Sequence, residues 1–176
     1  MKNNADKRLY YLLAVVVVVI VIGIIAGLAG EGDNNGGGSV DGKTAKLNFG
    51  ERRYDFGQVS MARGKVSHGF KFKNEGEGEL TIDDLSTSCM CTSAALIISG
   101  KKGPSYGMPM AGQVNIPFFS EQLKPGEEAE LEVTFDPNAH GPDGVGPITR
   151  SITLVSNDSG INKSKTDLII TANVIK

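Results

Sequence analysis

Two kinds of hydrophobic pattern divide the chain. From Leu9 to Ala29 the pattern is continuous: 19 of 21 residues are apolar, the other two are glycine, and none is charged. From Thr44 onward apolar and polar residues alternate with a period close to two. Val66, His68, Phe70 and Phe72 fall on one face against Ser67, Gly69, Lys71 and Lys73, and Leu131, Val133 and Phe135 alternate with Glu130, Glu132 and Thr134. Leu168, Ile170, Ala172 and Val174 repeat the pattern near the C-terminus, and Ile152 and Leu154 supply one more run. Successive side chains of a strand point to opposite faces, so each run predicts a half-buried strand. Turn chemistry lies between them at Asn74 to Gly78, at Pro125-Gly126 and at Asn157 to Gly160. The segment from Ser99 to Phe119, broken by Gly100, Gly103, Gly107, Gly112 and prolines, reads as a long irregular loop.

Short strands with no amphipathic helical pattern predict an all-β domain over residues 44–176, an immunoglobulin-like antiparallel β-sandwich, with an up-and-down barrel as the competing architecture. The continuous run predicts something different. At ~1.5 Å per residue its 21 residues span about 32 Å, the thickness of a bilayer's hydrocarbon core, so a single transmembrane α-helix over 9–29 is expected to precede the sandwich. The β-branched stretch Val15 to Ile22 would resist a helix in water, but in lipid a lone segment satisfies its backbone only as a helix. Tyr10 and Tyr11 mark the interface. Lys2, Lys7 and Arg8 precede them against Asp6 alone, so residues 1–8 are expected in the cytoplasm and the C-terminal domain outside it. A cleaved signal peptide is the alternative, but its apolar region runs only about 7 to 15 residues. Residues 30–43, rich in Gly, Asn and Asp, read as a flexible tether.

Charge narrows the partners. The whole chain carries a net −2, and residues 44–176 hold 14 basic against 16 acidic side chains, so no basic field is available for nucleic acid. The membrane, through the N-terminal helix, and an envelope protein are the expected partners. Phosphate-cradling loops, nucleophile elbows and paired carboxylates in apolar surroundings are absent from the sequence, so no catalytic residues are assigned and an enzyme is not expected, thiol-redox activity excepted.

Particular residues carry a resemblance. Tyr54, Asp55, Phe56, Gly57, Gln58 and Val59; then Phe70 to Gly76; then Leu80, Thr81 and Ile82; then Ser88, Cys89, Met90, Cys91 and Thr92; then Pro125, Gly126 and Glu127; then Val133 to Asp136 together resemble the bacterial domain of unknown function 1573 family over nearly all of residues 45–175. That family looks like the Hydin-like and major-sperm-protein-like group of immunoglobulin-type sandwiches. The resemblance implies a fold and no activity. The family's usual glycine between the two cysteines is here Met90.

Cys89 and Cys91 are the only cysteines. In an extended strand their Cα atoms would lie ~6.5 to 7 Å apart, at the limit of disulfide geometry, so a bridge needs a tight turn. Three readings stand together: a disulfide, two packed free thiols, or a soft-metal site. In the third, Cys89, Cys91, Met108, Met110 and His140 supply the thiolate, thioether and imidazole donors that select copper. No other cofactor is expected. His68, on an apolar face, reads as a packed and hydrogen-bonded residue. Arg150 is expected to fork onto a carboxylate such as Asp136. Asp136, Asn138 and Asp143 read as a solvated turn rather than a calcium loop, since their spacing does not match one. The leading expectation is therefore a non-catalytic, membrane-tethered binding or structural module of the cell envelope, and the alternative is a copper-binding or thiol-redox protein.

Overall fold

The computed structural model describes residues 43–109, 120–158 and 163–176. The chain divides into two units, Met1–Val40 and Asp41–Lys176, and the described residues belong to the second. The expected transmembrane helix from Leu9 to Ala29 and the tether up to residue 42 lie outside them. Among the described residues no helix is long and apolar enough to cross a membrane.

Among the described residues ten strands form two five-stranded sheets. The first sheet joins β1 (Leu47–Phe49), β3 (Val66–Asn74), β8 (Glu128–Phe135), β5 (Thr92–Ile98) and β6 (Lys101–Tyr106) in the order β1-β3-β8-β5-β6. The second joins β2 (Arg53–Ser60), β10 (Ser164–Ile175), β9 (Gly146–Ser156), β4 (Leu80–Thr87) and β7 (Glu121–Leu123) in the order β2-β10-β9-β4-β7. One 3-10 turn, Met61–Arg63, is the helical element among the described residues.

The period-two pattern explains the layers. In β8, Ala129, Leu131, Val133 and Phe135 are buried while the residues between them are not, and in β10 Thr166, Leu168, Ile170, Ala172 and Val174 do the same from the opposite sheet. Phe70 and Phe72 of β3 and Ile152 and Leu154 of β9 complete the centre of the core. Each such side chain contributes about 1.5–3 kcal/mol by leaving water.

Two expectations need correction. The sandwich is not wholly antiparallel: β2 runs parallel to β10, with Tyr54 opposite Ile170 and Val59 opposite Val174. Because Met61–Arg63 carries the chain from β2 in the second sheet to β3 in the first, β2 has no hairpin partner in its own sheet to force it antiparallel. The segment after Ser99 is not irregular from its start either, because Lys101–Tyr106 returns as β6 in a hairpin with β5, turning through Ser99 and Gly100 at φ 50° and 76°. Its glycine and proline conceal a strand that pairs with the rest of the sheet on one side only, an edge position where proline is tolerated.

The turn at Asn74 is built from its side chain. Asn74 is fully buried, its Nδ2 donates to Gly78 O at 2.8 Å and Leu123 O at 3.0 Å, and its Oδ1 accepts from Gly76 N at 3.0 Å and Lys46 N at 3.3 Å. A Cβ at Gly76 would collide with the backbone of Thr44 to Lys46, so the glycine permits this close approach. At Pro125-Gly126 the backbone behaves as expected, with Gly126 at φ 78° and Glu127 N donating to Lys124 O at 3.0 Å.

Candidate functional site

The strands β4 and β5 belong to different sheets, and the residues joining them, Ser88 to Cys91, cross from one to the other at one end of the sandwich. Four hydrogen bonds to three neighbouring segments pin this crossing and the end of β4. Thr87 N donates to Gly107 O at 3.3 Å after β6, Ser88 N to Ser151 O at 2.9 Å in β9, Ser151 N to Ser88 Oγ at 2.9 Å, and Asp136 N to Cys91 O at 2.8 Å after β8. From inside, the buried Thr87 hydroxyl lies 3.0 Å from Cys89 O and 2.9 Å from Thr92 O.

Within that frame the chain makes a tight turn closed by Thr92 N donating to Cys89 O at 3.1 Å. The turn brings the two cysteine Cα atoms to 5.2 Å, inside the disulfide range, and Cys89 and Cys91 are joined. Among the described residues no cysteine is free. Met90 points away, 62% exposed.

Each sulfur has its own nitrogen partner. His140 Nε2 lies 3.2 Å from Cys89 Sγ, and Arg150 Nε donates to Cys91 Sγ at 3.2 Å. Cys91 N also donates to Cys89 Sγ at 3.2 Å, and Thr92 Oγ1 stands 3.7 Å from Cys91 Sγ. His140 is exposed and comes from the chain of turns after β8, where Gly141 N bonds Asn138 O at 3.0 Å and Gly144 N bonds Gly141 O at 3.1 Å. Arg150 comes from β9, two residues before Ile152, which faces Thr87 across the strand pair. Arg150 does not fork onto Asp136 as expected. That carboxylate is taken by Lys65 at 3.7 Å and by Asn138 N at 2.9 Å, and the guanidinium instead turns to the sulfur and to Thr149 O at 2.9 Å.

Of the five candidate metal ligands, Cys89, Cys91 and His140 present donor atoms within 4.8 Å of one another. Met108 lies next to Gly107, which is bonded to Thr87, and its side chain is exposed; Met110 lies outside the described residues. A cation would find soft donors here only after the bridge is reduced, since the disulfide leaves no thiolate to bind it. His68 packs elsewhere, stacked on Tyr54 at 3.5 Å between ring centroids and 2.7 Å from Glu51 Oε1. The Asp136 to Gly144 segment is a series of hydrogen-bonded turns.

The family model of proteins of unknown function (DUF1573) matches residues 47–103, which run from β1 into β6 and include the cysteine turn. The match is shorter than the sequence motifs imply, because β7 to β10 fall outside it. No curated protein matches the chain. Among solved structures, a protein of unknown function from Porphyromonas gingivalis W83 is similar at 18% identity and a TM-score of 0.50, over 74% of this chain and 47% of that one. This chain thus spans about half of its length. A PapD-like domain of human CEP192 is similar at 13% identity and a TM-score of 0.47, over 76% and 87% of the two chains. The CooA pilin subunit of enterotoxigenic Escherichia coli is similar at 8% identity and a TM-score of 0.48, over 76% and 99%. With its two sheets, the described part of the chain is a β-sandwich that resembles, over residues 47–103, a family of proteins of unknown function.

Proposed function

We propose that this chain is a membrane-tethered β-sandwich module of the cell envelope whose Cys89–Cys91 pair is a reversible thiol–disulfide centre. The observation that carries the reading is the pairing of each sulfur with a separate nitrogen, His140 Nε2 on Cys89 and Arg150 Nε on Cys91, both at 3.2 Å. A structural bridge ties together segments that the unfolded chain would separate. This one spans a single residue, Met90, so it removes little freedom from the unfolded state. Arginine stays protonated at any working pH, and a guanidinium against sulfur stabilises the thiolate that disulfide exchange requires. The uncharged stretch from Leu9 to Ala29 and the basic residues before it support display outside the cytoplasm, where disulfides persist. The end loops beside the cysteine turn are the contact surface for an envelope protein partner.

The test is a redox equilibrium. The full chain in detergent micelles is held in glutathione buffers of stepped ratio, quenched by alkylation and weighed intact. Reversible interconversion with a midpoint above about −300 mV, where exchange-active rather than structural disulfides lie, is expected. A bridge that stays closed below that potential, or two alkylatable thiols in protein purified in air, overturns the proposal.

The clustering of Cys89, Cys91 and His140 favours a second reading, a Cu(I) site in the reduced protein. The positive charge of Arg150 beside Cys91 opposes it. Stoichiometric Cu(I) uptake by the reduced full chain under anaerobic conditions, lost in His140→Ala, would support the copper reading. No uptake at equimolar Cu(I) would remove it.

A further inference from the structure

The geometry points to a fixed polarity in the Cys89–Cys91 bridge: an incoming thiolate attacks Cys89, and Cys91 is the leaving sulfur, held by Arg150. The inference rests on the thiol–disulfide reading above and adds the order of events. Both sulfurs belong to one turn, yet their surroundings differ. Cys89 is 8% exposed and Cys91 1%. The group over Cys89 is His140, an exposed side chain on a loop of consecutive turns. Cys91 instead sits against Arg150 and Thr92, and its carbonyl is fixed by Asp136 N, so three strands of the sandwich converge on it. A nucleophile reaches Cys89 by displacing one imidazole. It reaches Cys91 only by opening the end of the sandwich.

The charge distribution leads the same way. When a thiolate sulfur bonds to Cys89 Sγ, the Cys89–Cys91 bond breaks and its electron pair stays on Cys91 Sγ. That is the atom to which Arg150 Nε already donates at 3.2 Å. A preorganised donor aimed at the atom where negative charge develops lowers the barrier without reorganisation. A second thiolate then attacks the incoming group's sulfur in the mixed disulfide, releasing that group as its own disulfide and Cys89 as a thiolate. Cys89 takes a proton from water, and Cys91 stays a thiolate against Arg150. Two thiolates have been oxidised to one disulfide and the bridge reduced to one thiol and one thiolate, so atoms, charge and electrons balance. The ligand class is a thiol.

Glutathione is the probe. The full chain in micelles is reduced by glutathione, quenched with acid at early times and peptide-mapped, and the glutathionyl group is expected on Cys89. Cys91→Ser, which leaves Cys89 alone, is expected to react with oxidised glutathione about tenfold or more faster than Cys89→Ser, which leaves only Cys91. Arg150→Gln is expected to slow reduction of the bridge by about tenfold or more, the loss of one hydrogen bond to a charged group, with Arg150→Lys recovering part of the rate. A mixed disulfide on Cys91, equal rates for the two single-cysteine proteins, or an Arg150→Gln rate equal to wild type overturns the polarity. Failure of the underlying reading looks different: the wild-type bridge would resist reduction at equilibrium while the single-cysteine proteins still differ in rate.

Discussion

Arg150 is fixed from two sides, by Thr149 O at 2.9 Å and by Cys91 Sγ at 3.2 Å, so its head group cannot swing to the carboxylates of the neighbouring loop without giving up the sulfur. Its effect on equilibrium is separable from its effect on rate. Stabilising one sulfur of the reduced pair raises the reduction potential, because the reduced state is the one that carries the thiolate. Arg150→Gln should therefore make the bridge harder to reduce, with a midpoint about 30 mV more negative, the low end of the value of one hydrogen bond to a charged group because the arginine is only half-buried. Alkylation of the variant across glutathione buffers measures it, and an unchanged midpoint would mean that the contact acts on the transition state alone. Asn74 is the residue-scale test of the fold. Its amide satisfies two carbonyls and two backbone amides from separate segments, so Asn74→Ala leaves buried polar groups without partners and should cost about 3 kcal/mol in urea unfolding. A loss below about 0.5 kcal/mol would mean that other groups satisfy them.

At the scale of elements, the cysteine turn connects two sheets, yet its bridge closes a loop of three residues. Loop-closure entropy then allows at most about 1.5 kcal/mol, half the value for a loop of 15 residues. Reduction of the full chain is expected to lower the melting temperature of the sandwich by about 6 °C or less. A drop several times larger would make the bridge part of the fold's support. The strands that alternate were legible from the residues alone: β3, β8 and β10 carry one apolar face against one polar face, and their burial follows that period, as does β9 from Ile152 to Leu154 before Val155 and Ser156 are buried together. β5 was less legible, since Ala94, Ala95 and Leu96 are consecutive and buried, and a short apolar run does not declare its period. β6 was concealed by Gly103 and Pro104, which an edge strand tolerates. For the site, donor chemistry alone drew Cys89, Cys91 and His140 together, because soft ligands can be counted in a sequence. Arg150 could not be found that way. Its place beside Cys91 depends on β9 pairing with β4, a choice of strand order that local periodicity does not contain.

For the molecule as a whole, the two edges of the first sheet, at β1 and at β6, respond to pH in opposite directions. Glu75, after β3, is held below the usual carboxylate range by a hydrogen bond from Asn48 at 2.8 Å, then by Lys46 at 3.3 Å. Its contribution is present above the unfolded pKa and fades as pH falls through the lowered folded value, and its exposure to solvent keeps it small. Tyr106, at the end of edge strand β6, is shifted the other way: burial, then the Glu121 carboxylate, raises its phenol above the ordinary value of 10.0. Between the unfolded and folded pKa values the unfolded chain has released the phenolic proton and the native chain has kept it. The native state then binds more protons, so stability is complete below about pH 10 and falls as pH rises through that window. Tyr106→Phe keeps the ring and removes the titration. Urea midpoints of the full chain, followed from pH 8 to 11, should therefore fall more steeply in wild type than in Tyr106→Phe above pH 10, whatever constant offset the lost hydroxyl introduces. Parallel curves would show that the Tyr106 hydroxyl titrates alike in the folded and unfolded states, and that the end of β6 admits water to it.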